Sequence, residues 1–433
     1  MPSRLAFSLL PFPFSLDAVA ESRWLSTIIK TLPLKRAFAA LTYRDFRILW
    51  LGAFASTIGT WMQKVAQSWL VLDLTKSPFY LGLDDFLGQL PILLFTVVGG
   101  VVADRHDRRR LLIGSQYVQM ATAFALAALV WFGYVRIYHV LLLSCVTGFA
   151  QAFGGPAYQS LIPSLVQKTH LPNAIALNSI QFNLSRILGS LFAGATLAVV
   201  GTAACFALNG FSFVIVIVAL LALSVKHIAP PERKPMLQEM RGGFSYMKRE
   251  PSLVALTVLA CLTTFLGLPL TTLLPVIARD IFHGDAGLYS QMMAFAGAGS
   301  VVGALIVAWL GRHAHMGRTV LLVQLAFGIF VVAFSQSRVL WLSEVLLFFA
   351  AATVMVVTAS TTSLVQLVVP DHLRGRVVSI YMVAFRGGMP LGSLASGYAA
   401  SLAGVPIVLA VNGTLVSLVA LYFLAKSHGV REL

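Results

Sequence analysis

Apolar runs of about twenty residues or more, separated by short polar stretches, follow one another along most of the chain. A run of that length matches the hydrocarbon thickness of a bilayer crossed by a helix, so each is expected to span a membrane. Twelve are read. The first six run approximately Phe46 to Leu74, Phe79 to Val102, Leu111 to Val135, Tyr138 to Val166, Pro172 to Val200 and Thr202 to Val225. The second six run approximately Leu253 to Phe282, Leu288 to Leu310, Thr319 to Phe334, Val339 to Val369, Arg376 to Leu402 and Val405 to Ala425. The expected organisation is a tail over 1–45, a six-helix bundle over 46–225, a linker over 226–251, a second six-helix bundle over 252–425 and a tail over 426–433. The fold class is therefore an all-α integral membrane protein of two matched bundles.

A weak internal repeat supports the matching. Gly189, Ser190 and Gly194 in the fifth segment recur as Gly392, Ser393 and Gly397 in the eleventh, each preceded upstream by a His-Leu pair at His170 or His372. Parallel six-helix repeats place a substrate site between them near the membrane midplane. Chance coincidence of small residues in apolar sequence is the competing reading.

Composition narrows the class further. The 433 residues are 58% hydrophobic and 11% charged, far from the roughly 25% charged residues of soluble domains. A net charge of +15 raises the question of nucleic acid, but the basic residues are scattered over short loops and form no stripe, which argues against that partner. Their distribution fits topology instead. About 24 of the 31 Lys and Arg fall on one side, with Lys76, Arg136, Arg279 and Arg338 on the other and Lys64, Arg186 and Arg386 within helices. Basic residues stay in the cytoplasm, so both termini and the loop at Arg105 to Arg110 are expected inside, in a multi-pass protein of the cytoplasmic membrane. Arg4, an apolar run and Ala18-Val19-Ala20 imitate a cleavable leader, yet cleavage there inverts the charge bias; the tail is read as a cytoplasmic extension or as the product of an upstream start codon.

Cys145, Cys205 and Cys261 each sit alone in apolar sequence and the nine histidines lie in loops or near helix ends, so neither disulfide framework nor metal centre is expected. No phosphate-binding loop or nucleophile elbow is visible. The chain is read as no enzyme and as needing no cofactor. An ion gradient is then the available energy source.

Ionisable side chains at membrane depth are costly and must face protein or water. Arg186 shares a helix face with Ser179, Asn183, Ser190 and Gly194, and Arg386 shares one with Ser379, Pro390, Ser393 and Gly397. Two readings stand for this pair: guanidiniums lining a cavity for an anionic or strongly polar solute, or structural arginines tied to backbone carbonyls. Asp84 and Asp85 lie near the outer end of the second helix, beside a first helix bearing Gln63, Lys64 and Gln67. A carboxylate withdrawn from water can carry a proton, as a coupled carrier requires, while a plain ion pair of Asp85 with Lys64 is the structural alternative. Adjacent on a helix, the two aspartates point about 100° apart, so at most one shares a face with Gln89. Glu344 ranks below them as a proton site. Gln151 belongs to a stripe with Ser144, Gly148, Gly155 and Tyr158 that combines close packing with polar groups able to reach a cavity. The Gly154-Gly155-Pro156 and Gly267-Leu268-Pro269 stretches, with Pro275, are candidate breaks.

Between the second and third helices stands GGVVADRHDRRR, in which Gly100, Asp104, Arg105, Arg108 and Arg109 match the signature loop of the major facilitator superfamily; the pattern's second glycine is Asp107 here. With LTYRDFRILWLG at 41–52, QLPILL at 89–94 and VPDHLRGRVVSIY at 369–381, the chain resembles that superfamily's enterobactin-exporter-like branch of bacterial efflux proteins from Leu41 to Ala425. The resemblance implies that Asp104 caps a helix end and that the arginines latch the cytoplasmic side during alternating access. The antiporter glycine-proline pair of the fifth helix is absent, with Gly189-Ser190 in its place.

Together these readings lead to a monomeric secondary transporter that exports a small organic solute, siderophore or drug-like, by alternating access in exchange for entering protons. Arg186, Arg386, Gln63, Gln67, Gln151 and Asn183 are the candidate cavity residues, Asp84, Asp85 and Glu344 the candidate proton carriers. Transport of a lysophospholipid or other lipid is the alternative on the same fold, and a non-transporting sensor or scaffold the alternative of another class.

Overall fold

The computed structural model describes residues 38–224, 244–370, 373–426 and 428–431. Most of the expected N-terminal tail and of the expected linker lies outside those residues. Twelve long helical elements follow in order: α1 (Arg44–Thr75), α2 (Pro78–Arg105), α3 (Arg108–Trp131), α4 (Ile137–Leu161), α5 (Leu171–Val199), α6 (Thr202–Leu221), α7 (Pro251–Ile281), α8 (Ala286–Leu310), α9 (Met316–Gln336), α10 (Leu340–Val368), α11 (Arg374–Ala403) and α12 (Val405–Lys426). Eleven are long and apolar enough to cross a membrane. The exception, α1, has its apolar run broken by Thr57, Thr60, Gln63, Lys64 and Gln67, the price of carrying polar groups into the interior.

Local chemistry explains where elements begin and end. Asp107, with φ −62°, accepts from the backbone N–H of Arg109 and Arg110 and so caps α3, which starts three residues before the apolar run. An aspartate can thus occupy the signature's second glycine position, because no left-handed conformation is required there. In α7 the helix is interrupted at Leu268, just before Pro269, and at Leu273, two residues before Pro275, and finishes in a π turn over Ile277–Ile281. By contrast α4 runs unbroken through Pro156.

The packing repeats after six helices. In the first set α2 packs on α4, α1 on α5 and α6, and α3 on α4 and α6; in the second set α8 packs on α10, α7 on α11 and α12, and α9 on α10 and α12. Two main contacts cross between the sets, α2 with α11 and α5 with α8, and a shift of six helices exchanges them. The recurring glycines take matching places in this scheme. A Cβ on Gly189 would stand 2.6 Å from the Ile58 carbonyl of α1, and one on Gly392 would stand 2.0 Å from the Phe265 carbonyl of α7. Likewise Gly194 abuts Ser290 of α8, and Gly397 abuts Gly82 of α2. The repeat marks matching close approaches in the two halves.

The apolar core is not uniform along the helices. At the end remote from the Arg105–Arg110 turn, one cluster draws on both sets, from Val65, Leu72 and Phe206 to Leu273, Tyr289 and Leu409. Toward the basic end it divides into two clusters, one around Phe46, Leu112 and Leu177 and one around Leu256, Leu321 and Tyr381, each confined to a single set. The two halves are therefore joined at one end and parted by a cleft at the other.

A test lies in adjacent glycines of α2. A Cβ on Gly99 would stand 2.2 Å from the Ala152 carbonyl, whereas one on Gly100 meets nothing within 4 Å. Thermal unfolding in detergent should show Gly99→Leu losing about 1–3 kcal/mol by overpacking, and Gly100→Ala staying within about 0.5 kcal/mol. Equal effects would contradict the packing.

Candidate functional site

Membrane-buried carboxylates need partners, and those of Asp84 and Asp85 diverge as their positions on one helix require. Asp84 turns toward its own half: Gln67 Nε2 donates to it at 2.8 and 3.1 Å and the Ser144 hydroxyl of α4 donates as well. Gln67 accepts from Gln63 at 3.5 Å, and Gln63 accepts from Asn209 of α6 at 2.6 Å. A polar chain thus crosses the first half from α6 to α4.

Asp85 turns toward the other half. Its Oδ1 lies 2.6 Å from Lys64 Nζ, and its Oδ2 accepts from the Ser393 hydroxyl of α11 at 2.7 Å; Ser393 and Thr272 of α7 are in turn 3.1 Å apart. The Asp85 side chain is 2% exposed and that of Lys64 41% exposed. Around this pair α2 and α11 come together at Gly82, where a Cβ would stand 2.2 Å from the Ser393 carbonyl. Tyr289 of α8 is fully buried and stacks on Trp69 of α1. Arg279, at the end of α7, donates to the Leu72 carbonyl of α1 at 3.2 Å. The Asp85–Ser393 bond, the Gly82–Ser393 approach, the Tyr289–Trp69 stack and the Arg279–Leu72 bond cross between the halves at the joined end. Gln89, which shares the face of Asp85, reaches Met389 of α11.

The cleft begins below this fastening. Arg186 lies at its apex, with Nη2 donating to the Ala296 carbonyl of α8 at 3.3 Å, its guanidinium 5.7 Å from the Trp61 ring centre, and a buried Nε that no acceptor meets. The Arg386 side is different: the residue is exposed, on the face of α11 whose far end, at Ser393 and Gly397, is buried against α2. That face meets the other half at its Ser393–Gly397 end. By the shift of 203 that aligns the glycines, Arg386 matches Asn183, and Arg186 matches Met389, so the two arginines are staggered by about one turn. Asn183 donates to the Ser179 carbonyl one turn back along α5. Gln151 is exposed on the α4 face that carries Ser144, and Tyr158 on that face donates to Asn178 of α5 at 2.6 Å. Glu344, 7% exposed, accepts from Gln291 of α8 at 2.7 Å, and so links α10 to α8 as Asp84 and Ser144 link α2 to α4.

At the basic end, Arg108 donates to the Ser160 carbonyl at 3.0 Å and Arg109 to the Leu221 carbonyl at 2.6 Å, tying α3 to the ends of α4 and α6. The Asp104 side chain lies outside the described part of the structure. Among the described residues no three His, Cys, Asp or Glu side chains gather as a metal site. Sequence reasoning passed over Tyr289, Trp61, Thr272, Gln291 and Asn209. Gln291 and Asn209 carry a signal, as amides in apolar runs; the aromatic pair and the threonine have none.

A family profile described as transmembrane secretion effector matches residues 35–431. Among curated proteins, the staphyloferrin A transporter of Staphylococcus aureus is 27% identical over 385 residues, covering 86% of this chain and 94% of that protein. Macrolide efflux protein A of Streptococcus pyogenes is 23% identical, covering 87% and 94%. The enterobactin exporter of Shigella boydii is 24% identical, covering 82% and 85%. Among solved structures, an inward-facing, unoccupied bacterial homologue of the human lysosomal transporter Spinster superposes with a TM-score of 0.70 at 14% identity, covering 89% of this chain and 97% of that one. A D-xylose–proton symporter gives 0.70 at 13% identity, covering 90% and 99%.

Removing Lys64 alone leaves a buried carboxylate uncompensated, whereas removing both partners does not. A double-mutant cycle on thermal stability should show Lys64→Gln costing about 3 kcal/mol and Lys64→Gln with Asp85→Asn recovering most of it. Additive losses would mean that the pair is not coupled.

Proposed function

The chain belongs to the transmembrane secretion effector family of major facilitator transporters, and from that premise we propose that it exports a small organic solute, siderophore or drug-like, in exchange for protons. It is a multi-pass membrane transporter and not an enzyme, as its family establishes. The observation that carries the direction of access is the divided core: joined at one end, parted at the basic end. The positive-inside bias puts the basic end in the cytoplasm, with both termini there, so this conformation receives solute from inside. One chain supplies the whole cleft, and a monomer suffices.

In this reading solute enters between α5 and α11 and meets Arg386, Asn183 and Gln151 first, then Arg186. A staggered pair of cations favours a solute with anionic groups or several acceptors spaced along its length. Arg186 Nε–H, a buried donor that no acceptor meets in this conformation, would bond such an acceptor once solute displaces the groups covering it. Outward opening breaks the bond of Ser393 to Asp85 and separates Gly82 from Gly397. Asp85 faces Lys64, with Asp84 and Tyr289 as the neighbouring titratable groups, so a proton arriving on Asp85 cancels the attraction to Lys64 and loosens the fastening. Asp84, relayed through Gln67 to the first half, is the second carrier, and Glu344 with Gln291 the counterpart in the other half. The relatives named for a siderophore and for macrolides support a solute of that size range.

Accumulation of a panel of siderophores, macrolides and dyes in cells with and without the protein tests the proposal. At least one compound should accumulate severalfold less with the protein present, and collapse of the proton gradient or Asp85→Asn should abolish the difference. Arg386→Gln should weaken export of an anionic solute more than of a neutral one. No difference for any compound, or export of lipid that persists without the gradient, would overturn it.

A further inference from the structure

Outside the cleft, the first half carries a second concavity. Between α3 and α4 runs a groove of about 520 Å³, lined by Leu111, Gly114, Val118, Phe149 and Phe153 with Arg110 at its basic end. That volume falls in the range of ~300–1,000 Å³ typical of ligand-holding clefts. Its wall is apolar, and Val118 and Phe149 are 41% and 48% exposed, so the groove opens toward the surrounding acyl chains and away from the solute pathway. Gly114 keeps it open: a Cβ there meets nothing within 4 Å. From Arg110 to Val118 the groove follows α3 for about 12 Å toward the midplane at 1.5 Å per residue.

Arg110 completes the arrangement. Its side chain is 89% exposed, and the neighbouring carboxylate, Asp107 Oδ2, stands 3.7 Å from its Nε, too far for a hydrogen bond. A cation at the start of a membrane helix, one turn above an apolar trough, stands at headgroup depth with a chain-shaped slot beneath it. We propose that this groove binds an anionic glycerophospholipid of the leaflet at the basic end, its phosphate on Arg110 and one acyl chain between α3 and α4. The two features act on different parts of the lipid. The guanidinium selects the charge, and the trough selects an unbranched chain.

Native mass spectrometry of the full chain in neutral detergent, titrated with phosphatidylglycerol or phosphatidylcholine of identical chains, tests this. Phosphatidylglycerol adducts should form at about fivefold lower concentration than phosphatidylcholine adducts, the discrimination expected from one basic side chain at an anionic surface. Arg110→Gln should abolish the preference and Arg110→Lys retain it. Gly114→Leu, which fills the trough, should lower occupancy by both lipids, and Arg312→Gln, on the other half's basic turn, should leave the preference intact. All three substituted positions are exposed, and unchanged unfolding temperatures verify the fold. A preference that survives Arg110→Gln, an occupancy that survives Gly114→Leu, or equal binding of the two lipids by the unsubstituted protein would overturn the proposal.

Discussion

A carboxylate that cannot reach water must be satisfied by protein, and Asp85 meets that demand with one donor from each half of the molecule. Lys64 comes from the neighbouring helix of its own half, Ser393 from the opposite half. The pairing depends on backbone proximity. Without Gly82 and Gly397, α2 and α11 could not approach closely enough for a serine hydroxyl to reach the second carboxylate oxygen. Charge, hydroxyl and glycine therefore form one device, which joins the halves at one end and leaves the other end free to part. Because the device contains a charge, the proposed proton exchange and the conformational change would draw on the same interaction.

The two arginines of the cleft, placed in matching helices, have different surroundings. Arg186 is partly used by the backbone of α8 and the face of Trp61, while Arg386 is exposed. The stagger follows from the repeat register: glycines align at a shift of 203, arginines at 200. Duplicated backbones thus carry unduplicated side chains.

Much of this was legible in the sequence for a physical reason. Length and apolarity of helices are imposed by the bilayer, so spans could be read to within a few residues, and costly residues at depth announce themselves. The start of α3 was missed by three residues because Asp107 caps it ahead of the apolar run. The motif drew attention to Gly100, yet the tight contact belongs to Gly99, since which face of α2 meets α4 depends on tertiary packing. Partner choice was also hidden. Asp84 and Asp85 are adjacent letters, and only the packing of α2 between α4 and α11 assigns Ser144 to one and Ser393 to the other. Tyr289 and Trp61 gave no signal, because aromatic residues are unremarkable in apolar helices.

Paired spin labels measure the central claim most directly. One pair, at Tyr134 and Leu402, reports the joined end, and another, at Ile175 and Trp309, reports the basic end; all four positions are exposed. In lipid nanodiscs at neutral pH the joined-end distance should be short and the basic-end distance long. Asp85→Asn should shift population toward the opposite pattern, lengthening the first as it shortens the second. Distance distributions at both ends that do not respond to Asp85→Asn would contradict the account.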